Sequence, residues 1–265
     1  MKVYQPQISV KLIKAFKRKE IAPELAVVAD RYSGLDGIDL TPLLSEGGSV
    51  QVTRSVRQPA GAFSITLVDK GHDVLMETVY AMIEPMDLIE IRMAREAGAD
   101  AMPIVMRGFV SNIIRNETMH GDKPLRTLTV SGQDFGKLLQ IMQIMYLYNT
   151  MTGDFFLTEF RWFENYAKDG DVKVKSAKEF VDDVLSNIIN PYMQKITTLA
   201  RFGSVAVTHK IQSDVSIDGF ISPYTLKQFD NVSFYQVLKT CLDVPVFNEM
   251  FIEDREDGVY LVVRP

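Results

Sequence analysis

From residue 62 to residue 68 the side chains alternate. Phe63, Ile65 and Leu67 leave one side of the chain, and Ser64, Thr66 and Val68 leave the other. A period of two is the mark of a half-buried strand. Residues 8–16 repeat it, with Ile8, Val10 and Leu12 set against Ser9, Lys11 and Ile13, and further strands are predicted at 49–56, 87–93, 104–115 and 124–131. One stretch breaks the rhythm. Between 72 and 85, Val74, Leu75, Val79 and Met82 recur at spacings of three and four before Pro85, which predicts a short amphipathic helix lying across the sheet. Residues 30–48 are rich in turn formers and read as a long loop with one short helix. A strand-rich half with one inserted helix predicts a small closed or nearly closed barrel plugged on one side.

The pattern changes after Ser131. Residues 133–150 are apolar on nearly every face and rich in Met, which predicts a buried helix. Residues 176–192 form the clearest helix of the chain. Ser176 and Glu179 have capping-box spacing, Phe180, Val181, Val184, Leu185, Ile188 and Ile189 make an apolar stripe, and Pro191 is expected to end it. Asp182 and Asp183 then face solvent. A last helix runs to Leu242, capped by Asp230 or Asn231, and strands over 246–253 and 259–265 flank an acidic hairpin turn ending in Gly258. The chain stops on a strand at Pro265, and the natural protein is expected to continue. The fold class is mainly β with inserted helices (α+β).

Composition narrows the function classes. The 265 residues suffice for one large domain or two ordinary ones, and 46% apolar with 24% charged residues is typical of globular chains. Lys and Arg number 29 against 34 Asp and Glu, a formal net charge of −5, which argues against general nucleic-acid binding. Cys241 is the only cysteine, so neither an intrachain disulfide nor a cysteine-based zinc site is available. Lys11, Lys14, Lys17, Arg18 and Lys19 interrupt any signal-like apolar run, and no stretch reaches membrane-spanning length, so a soluble, cytoplasmically made protein without a membrane anchor is expected.

Candidate chemistry is sparse. The segment from Ser131 to Leu139 has a strand-to-helix turn with Gly132 and Gly136. Their spacing is one residue short of a phosphate loop, Leu138 stands where a hydroxyl is needed, and Asp134 repels phosphate. His72, His120 and His209 lie in separate segments without metal-ligand spacing. Asp169 and Asp171 have calcium-loop spacing but no terminal glutamate. Glu159 and Glu164 sit in an aromatic cluster that reads more simply as packing or partner contact. No catalytic, cofactor-binding or metal-ligating residue is assigned, and no cofactor is expected.

Four segments in order carry a resemblance: VTRSVRQPAGAFSITLVDKG at 52–71, VYAMIEPMDLIEIRM at 79–93, MRGFVSNIIRNETM at 106–119 and LTVSGQDFGKLL at 128–139. With the closing helix and hairpin of 232–265, they resemble the central baseplate hub proteins of contractile-tailed bacteriophages. That family includes late control protein D and the N-terminal module of the VgrG spike. The resemblance implies a non-enzymatic virion protein of the tail baseplate. It implies two tail-tube-like β-barrel domains, here 1–150, with the Met-rich helix, and 151–265. It also implies a homotrimer whose six barrels match a sixfold tail tube to a threefold central spike, with tape measure and baseplate wedge proteins as further partners. DNA would pass through the lumen without specific binding. Gly61 would then permit the turn into the strand at 62–69, residues 84–87 would stop the helix and start the next strand, and Gly108 is a candidate bulge. A tail-tube or tube-terminator protein is the structural alternative. A tail-associated peptidoglycan hydrolase, using Glu159 or Glu164 as its acid, is the alternative of another class.

Overall fold

The computed structural model describes residues 7–14, 37–44, 49–55, 58–69, 79–95, 102–120, 123–144, 175–197, 201–202, 205–206, 210–221, 232–244 and 246–265. Seven strands form one antiparallel sheet, curled as a half-barrel. They are β1 (Gln7–Ile13), β2 (Ile38–Asp39), β3 (Ser49–Thr53), β4 (Ala62–Val68), β5 (Leu88–Ala94), β6 (Ile104–His120) and β7 (Lys123–Asp134). Their spatial order is β2-β1-β5-β6-β7-β4-β3. The end strands β2 and β3 do not pair with each other, so among the described residues the sheet is open where a closed or nearly closed barrel was expected.

The alternation read from the sequence becomes burial. Phe63, Ile65 and Leu67 point inward with Val10, Leu12, Ile89, Ile91, Leu128 and Val130, and Val79 and Met82 of α1 (Val79–Met82) cover them. Val74 and Leu75 of the expected helix lie outside the described residues. Met86 takes a left-handed φ of 68° in the turn that separates α1 from β5, as the Pro85 segment predicts. Lys14 ties that turn down, with Nζ 2.6 Å from Asp87 and 3.2 Å from Glu84.

Gly108 is not a bulge. It pairs in register with Ile89 and Asp134, and the irregularities fall at Val105 and Ser111. Its own reason is close approach, since a Cβ there would meet the Gln133 carbonyl at 2.6 Å and the Phe63 ring at 2.9 Å. β4 flanks β7 as far as Thr127, and beyond Asn116 β6 and β7 run on as a two-stranded arm whose described side chains are exposed.

The second half is layered on the outer face of the half-barrel. Leu88 and Phe109 point away from the inner core and join α2 (Gly136–Ile141), α3 (Ala177–Val184), α4 (Asn190–Ile196) and α5 (Phe234–Cys241) in a second apolar core. Phe109 and Phe135 meet edge to face at 4.9 Å. The strands here are β8 (Gln143–Ile144), β9 (Lys175–Ser176), β10 (Arg201–Phe202), β11 (Val205–Ala206), β12 (Ile211–Val215), β13 (Phe220–Ile221), β14 (Val232–Ser233), β15 (Glu249–Arg255) and β16 (Gly258–Arg264). They form a three-stranded mixed sheet, β12-β16-β15, and three two-stranded ladders; no second barrel is formed among the described residues.

Three helix expectations are corrected. The Met-rich helix stops at Ile141, because Gln143 and Ile144 leave it to pair with Ser233 and Val232. The capping box at Ser176 forms as expected, with Glu179 N–H 3.3 Å from Ser176 Oγ and Ser176 N–H 2.9 Å from Glu179 Oε2. Pro191 does not end that helix. Residues Leu185–Ile189 form a π turn, with Asn190 N–H donating to the Leu185 carbonyl. The missing proline N–H falls where the ladder has already changed step, so the helix continues to Ile196. The third correction is the cap of α5, which is Ser233, its Oγ accepting from Gln236 N–H at 3.3 Å.

Candidate functional site: a buried charge joint beside a cleft

Strand β5 reads Leu88-Ile89-Glu90-Ile91-Arg92, an alternation that places Glu90 and Arg92 on the outer face. On β6, Arg107 stands directly opposite Glu90. An isolated sheet would leave this pair in water. Here the β15–β16 hairpin covers it, and Arg107 is 0% exposed and Glu90 2%. Arg107 Nε donates to Glu90 Oε2 at 2.8 Å, and Nη1 reaches the carbonyls of Arg255 at 2.8 Å and Gly258 at 3.4 Å. Arg92 bridges the rim, with Nε 2.6 Å from Glu90 and its two terminal nitrogens 2.8 and 3.0 Å from Glu256. Burial works against the Arg92 charge, yet the hydrogen bonds to Glu256 and Glu90 leave its pKa above the usual arginine value.

Asp254, on β15, solves a strand-edge problem. β7 ends opposite Gly108, so the amide of Arg107 has no strand partner on that side. The Asp254 carboxylate accepts it at 3.1 Å and also accepts from Arg54 Nη2. Burial pushes the Asp254 pKa up, against the pull of Arg54 and the Arg107 amide. Each contact across the joint runs from a donor on the half-barrel to an acceptor on the hairpin.

Asp134 lies at the end of β7. Its Oδ2 accepts from Gly61 N–H at 2.8 Å and its Oδ1 from Gly136 N–H at 2.9 Å. Burial pushes its pKa up to about 7, with the two amides pulling the other way. Gly61 is therefore required for crowding: a Cβ there would lie 2.7 Å from Met106 Cε and 2.8 Å from Asp134 Oδ2. The glycines of the phosphate-loop-like segment have the same use, since a Cβ on Gly136 would meet the Pro59 carbonyl at 2.1 Å. Asp134 floors a cleft of about 270 Å³, walled by Arg54, Gln58 and Pro59 on one side and by Phe251 and Arg264 on the other.

Two solved structures are similar to this fold over 97% of the chain. One is the tail protein from Neisseria meningitidis MC58, at 10% identity and a TM-score of 0.47, with 50% of that chain covered. The other is the 43 kDa tail protein of prophage MuSo2 from Shewanella oneidensis, at 15% identity and 0.46, with 53% covered. The chain thus spans about half the length of each. No family model matches the sequence, and no curated protein does.

The residues singled out in the sequence do not converge. His72, His209, Glu159, Glu164, Asp169 and Asp171 lie outside the described residues, and His120 is the last residue of β6. Asp182 and Asp183, expected in solvent, are half-buried: Ser213 on β12 donates to Asp182, and Lys175 on β9 pairs with Asp183. Burial pushes the Cys241 thiol up to about 12, with Asp243 adding to it. Among the described residues, no group of three or more His, Cys, Asp or Glu could hold a metal ion, and no helix is long and apolar enough to cross a membrane.

Sequence reasoning missed the joint itself. Its signal was a charge centred in an apolar run, Glu90 within LIEIRM and Arg107 within VMRGFV, on strands one hairpin apart. Chemically the joint is a fastener. Its guanidinium groups are committed to carboxylates and carbonyls, which fixes the angle between half-barrel and hairpin.

Proposed function

We propose that this chain is a structural subunit of a phage-type contractile tail, acting as the baseplate hub. One observation carries the reading. The four segments of the hub resemblance become β3–β4, α1–β5, β6 and β7–α2, and all of these strands are neighbours in one antiparallel sheet. A resemblance resting on unrelated scattered motifs has no reason to land on one continuous wall. The buried joint supports a scaffold role, because donors on the half-barrel hold the C-terminal hairpin across it.

In this reading the protein is a homotrimer in the virion. The half-barrel lies in the first of the two tube-like units, 1–150 and 151–265, that this reading gives each chain, and the six units adapt a sixfold tail tube to a threefold spike. Tape measure and wedge proteins are neighbours, DNA passes through the lumen unbound, and the chain has no enzymatic activity. Oligomeric mass in solution, with particle symmetry from electron microscopy, tests this. A threefold ring is expected. A stable monomer overturns the hub, and a sixfold ring reassigns the chain to the tube or its terminator.

A further inference from the structure

We propose that Asn190 is a strand surrogate: its side-chain amide takes the place of a backbone peptide on the outer edge of β12 and closes that edge against pairing with another chain. The π turn of the preceding helix is the device that delivers it there. The inference is independent of the tail reading and rests on the geometry of the second layer.

β12 is an end strand of the β12-β16-β15 sheet. The other end strand, β15, lies against the half-barrel, where Asp254 accepts from the Arg107 amide at 3.1 Å. β12 has β16 on one side, in parallel register from Ile211 opposite Val259 to Val215 opposite Val263. Successive peptides of a strand point to opposite sides. Ser216 N–H donates to the Val263 carbonyl at 2.9 Å, so Gln212, Asp214 and Ser216 turn to β16. Ile211, Ser213 and Val215 turn outward, and a row of this kind is a template for a foreign strand. Among the described residues no strand pairs with that side of β12.

Asn190 occupies the first place in the row. Its Oδ1 accepts from Ile211 N–H at 2.8 Å, and its Nδ2 donates to the Ile211 carbonyl at 3.1 Å. An antiparallel neighbour would exchange the same two bonds with Ile211. The surrogate is itself buried, so water does not compete for either bond.

Regular helical spacing does not bring Asn190 to this place. Asp182, further up the same helix, accepts from Ser213 Oγ on β12. At 3.6 residues per turn, the positions between them would carry Asn190 about 80° past the direction of Asp182 and off the strand. The π turn at Leu185–Ile189 takes up an extra residue and winds that angle back. Asp182, Ser186 and Asn190 then stand in line along β12, and all three line one polar cavity of about 200 Å³ with Gln212 and Ser213.

Amide hydrogen exchange and sedimentation velocity of the full chain test this. In the unmodified protein Ile211 is expected to be at least about tenfold better protected than Ser213, the next outward-facing residue. Asn190→Leu, similar in volume, removes both bonds. Protection at Ile211 should then fall roughly ten- to a hundredfold, while Gln212 and Asp214, which face β16, keep theirs. Sedimentation should show species larger than the unmodified protein's own, growing with concentration. Adding Ser213→Pro should abolish them, because proline withholds the outward N–H and leaves the bonds to β16 in place. Should Asn190→Leu fail to fold, Asn190→Asp replaces it, keeping the shape and turning the donor into a second acceptor against the Ile211 carbonyl. Equal protection of Ile211 and Ser213, a matching loss at Gln212 and Asp214, no new association in the Asn190 variant, or association that survives Ser213→Pro overturns the proposal.

Discussion

Arg107→Met tests the energetics of the joint most directly. Methionine keeps most of the stem volume and removes the guanidinium from a site of 0% exposure. The change strands Glu90 Oε2, at 2% exposure, and deprives the Arg255 and Gly258 carbonyls of their donor. Breaking a buried ion pair from one side costs about 3–5 kcal/mol, because the surviving charge stays desolvated. The low end applies, since Arg92 still holds Glu90 at 2.6 Å through its other oxygen. About 3 kcal/mol in a chain of this length lowers Tm by roughly 6 °C.

Urea and thermal unfolding measure that loss, and a cycle with Glu90→Gln assigns it. Neutralising Glu90 removes the stranded charge, so the double variant should recover about 1–2 kcal/mol relative to additivity. Additive losses, or an Arg107→Met protein within about 0.5 kcal/mol of the unmodified one, would refute the account of the joint as a coupled buried pair.

Two further outcomes follow from packing and burial. Gly132→Ala places a Cβ 2.1 Å from the Phe109 carbonyl and 2.5 Å from the Phe63 ring, so it should cost about 3 kcal/mol or more, or prevent folding, as read by soluble yield and urea midpoint. Cys241, with its thiol pushed up to about 12, should react slowly with a disulfide reagent at pH 8 and quickly once unfolded; fast reaction in the native state would show the thiol unburied.

Much of the wall was readable in advance. Period-two alternation marks the strands of the half-barrel because one face of each is buried and a one-residue slip would turn every apolar side chain outward. The Ser176 capping box is equally local, since both of its hydrogen bonds close within four residues. Local signals failed where a distant segment competes for the same atoms. Residues after Ile141 look like more helix until Val232 and Ser233 offer a ladder. The Gly108 reading failed similarly: a glycine in a strand signals either a bulge or a close approach, and only the neighbouring Phe63 ring and Gln133 carbonyl decide which.

The sequence by itself therefore determined the main strands of the half-barrel and the closing hairpin, their apolar faces and where the clearest helix begins. Each follows from periodicity and short-range hydrogen bonding. Only the tertiary structure decided the site. The alternation of their own strands points Glu90 and Arg107 out of the half-barrel. They are buried because Asp254, 147 positions further on than Arg107, brings the C-terminal hairpin over that face. The hairpin also turns Asp134, a residue that looked like an obstacle to phosphate binding, into part of the lining of a cleft, and burial raises its pKa to about 7. Desolvation depends on what covers a group, and coverage is a property of chain paths that meet in space.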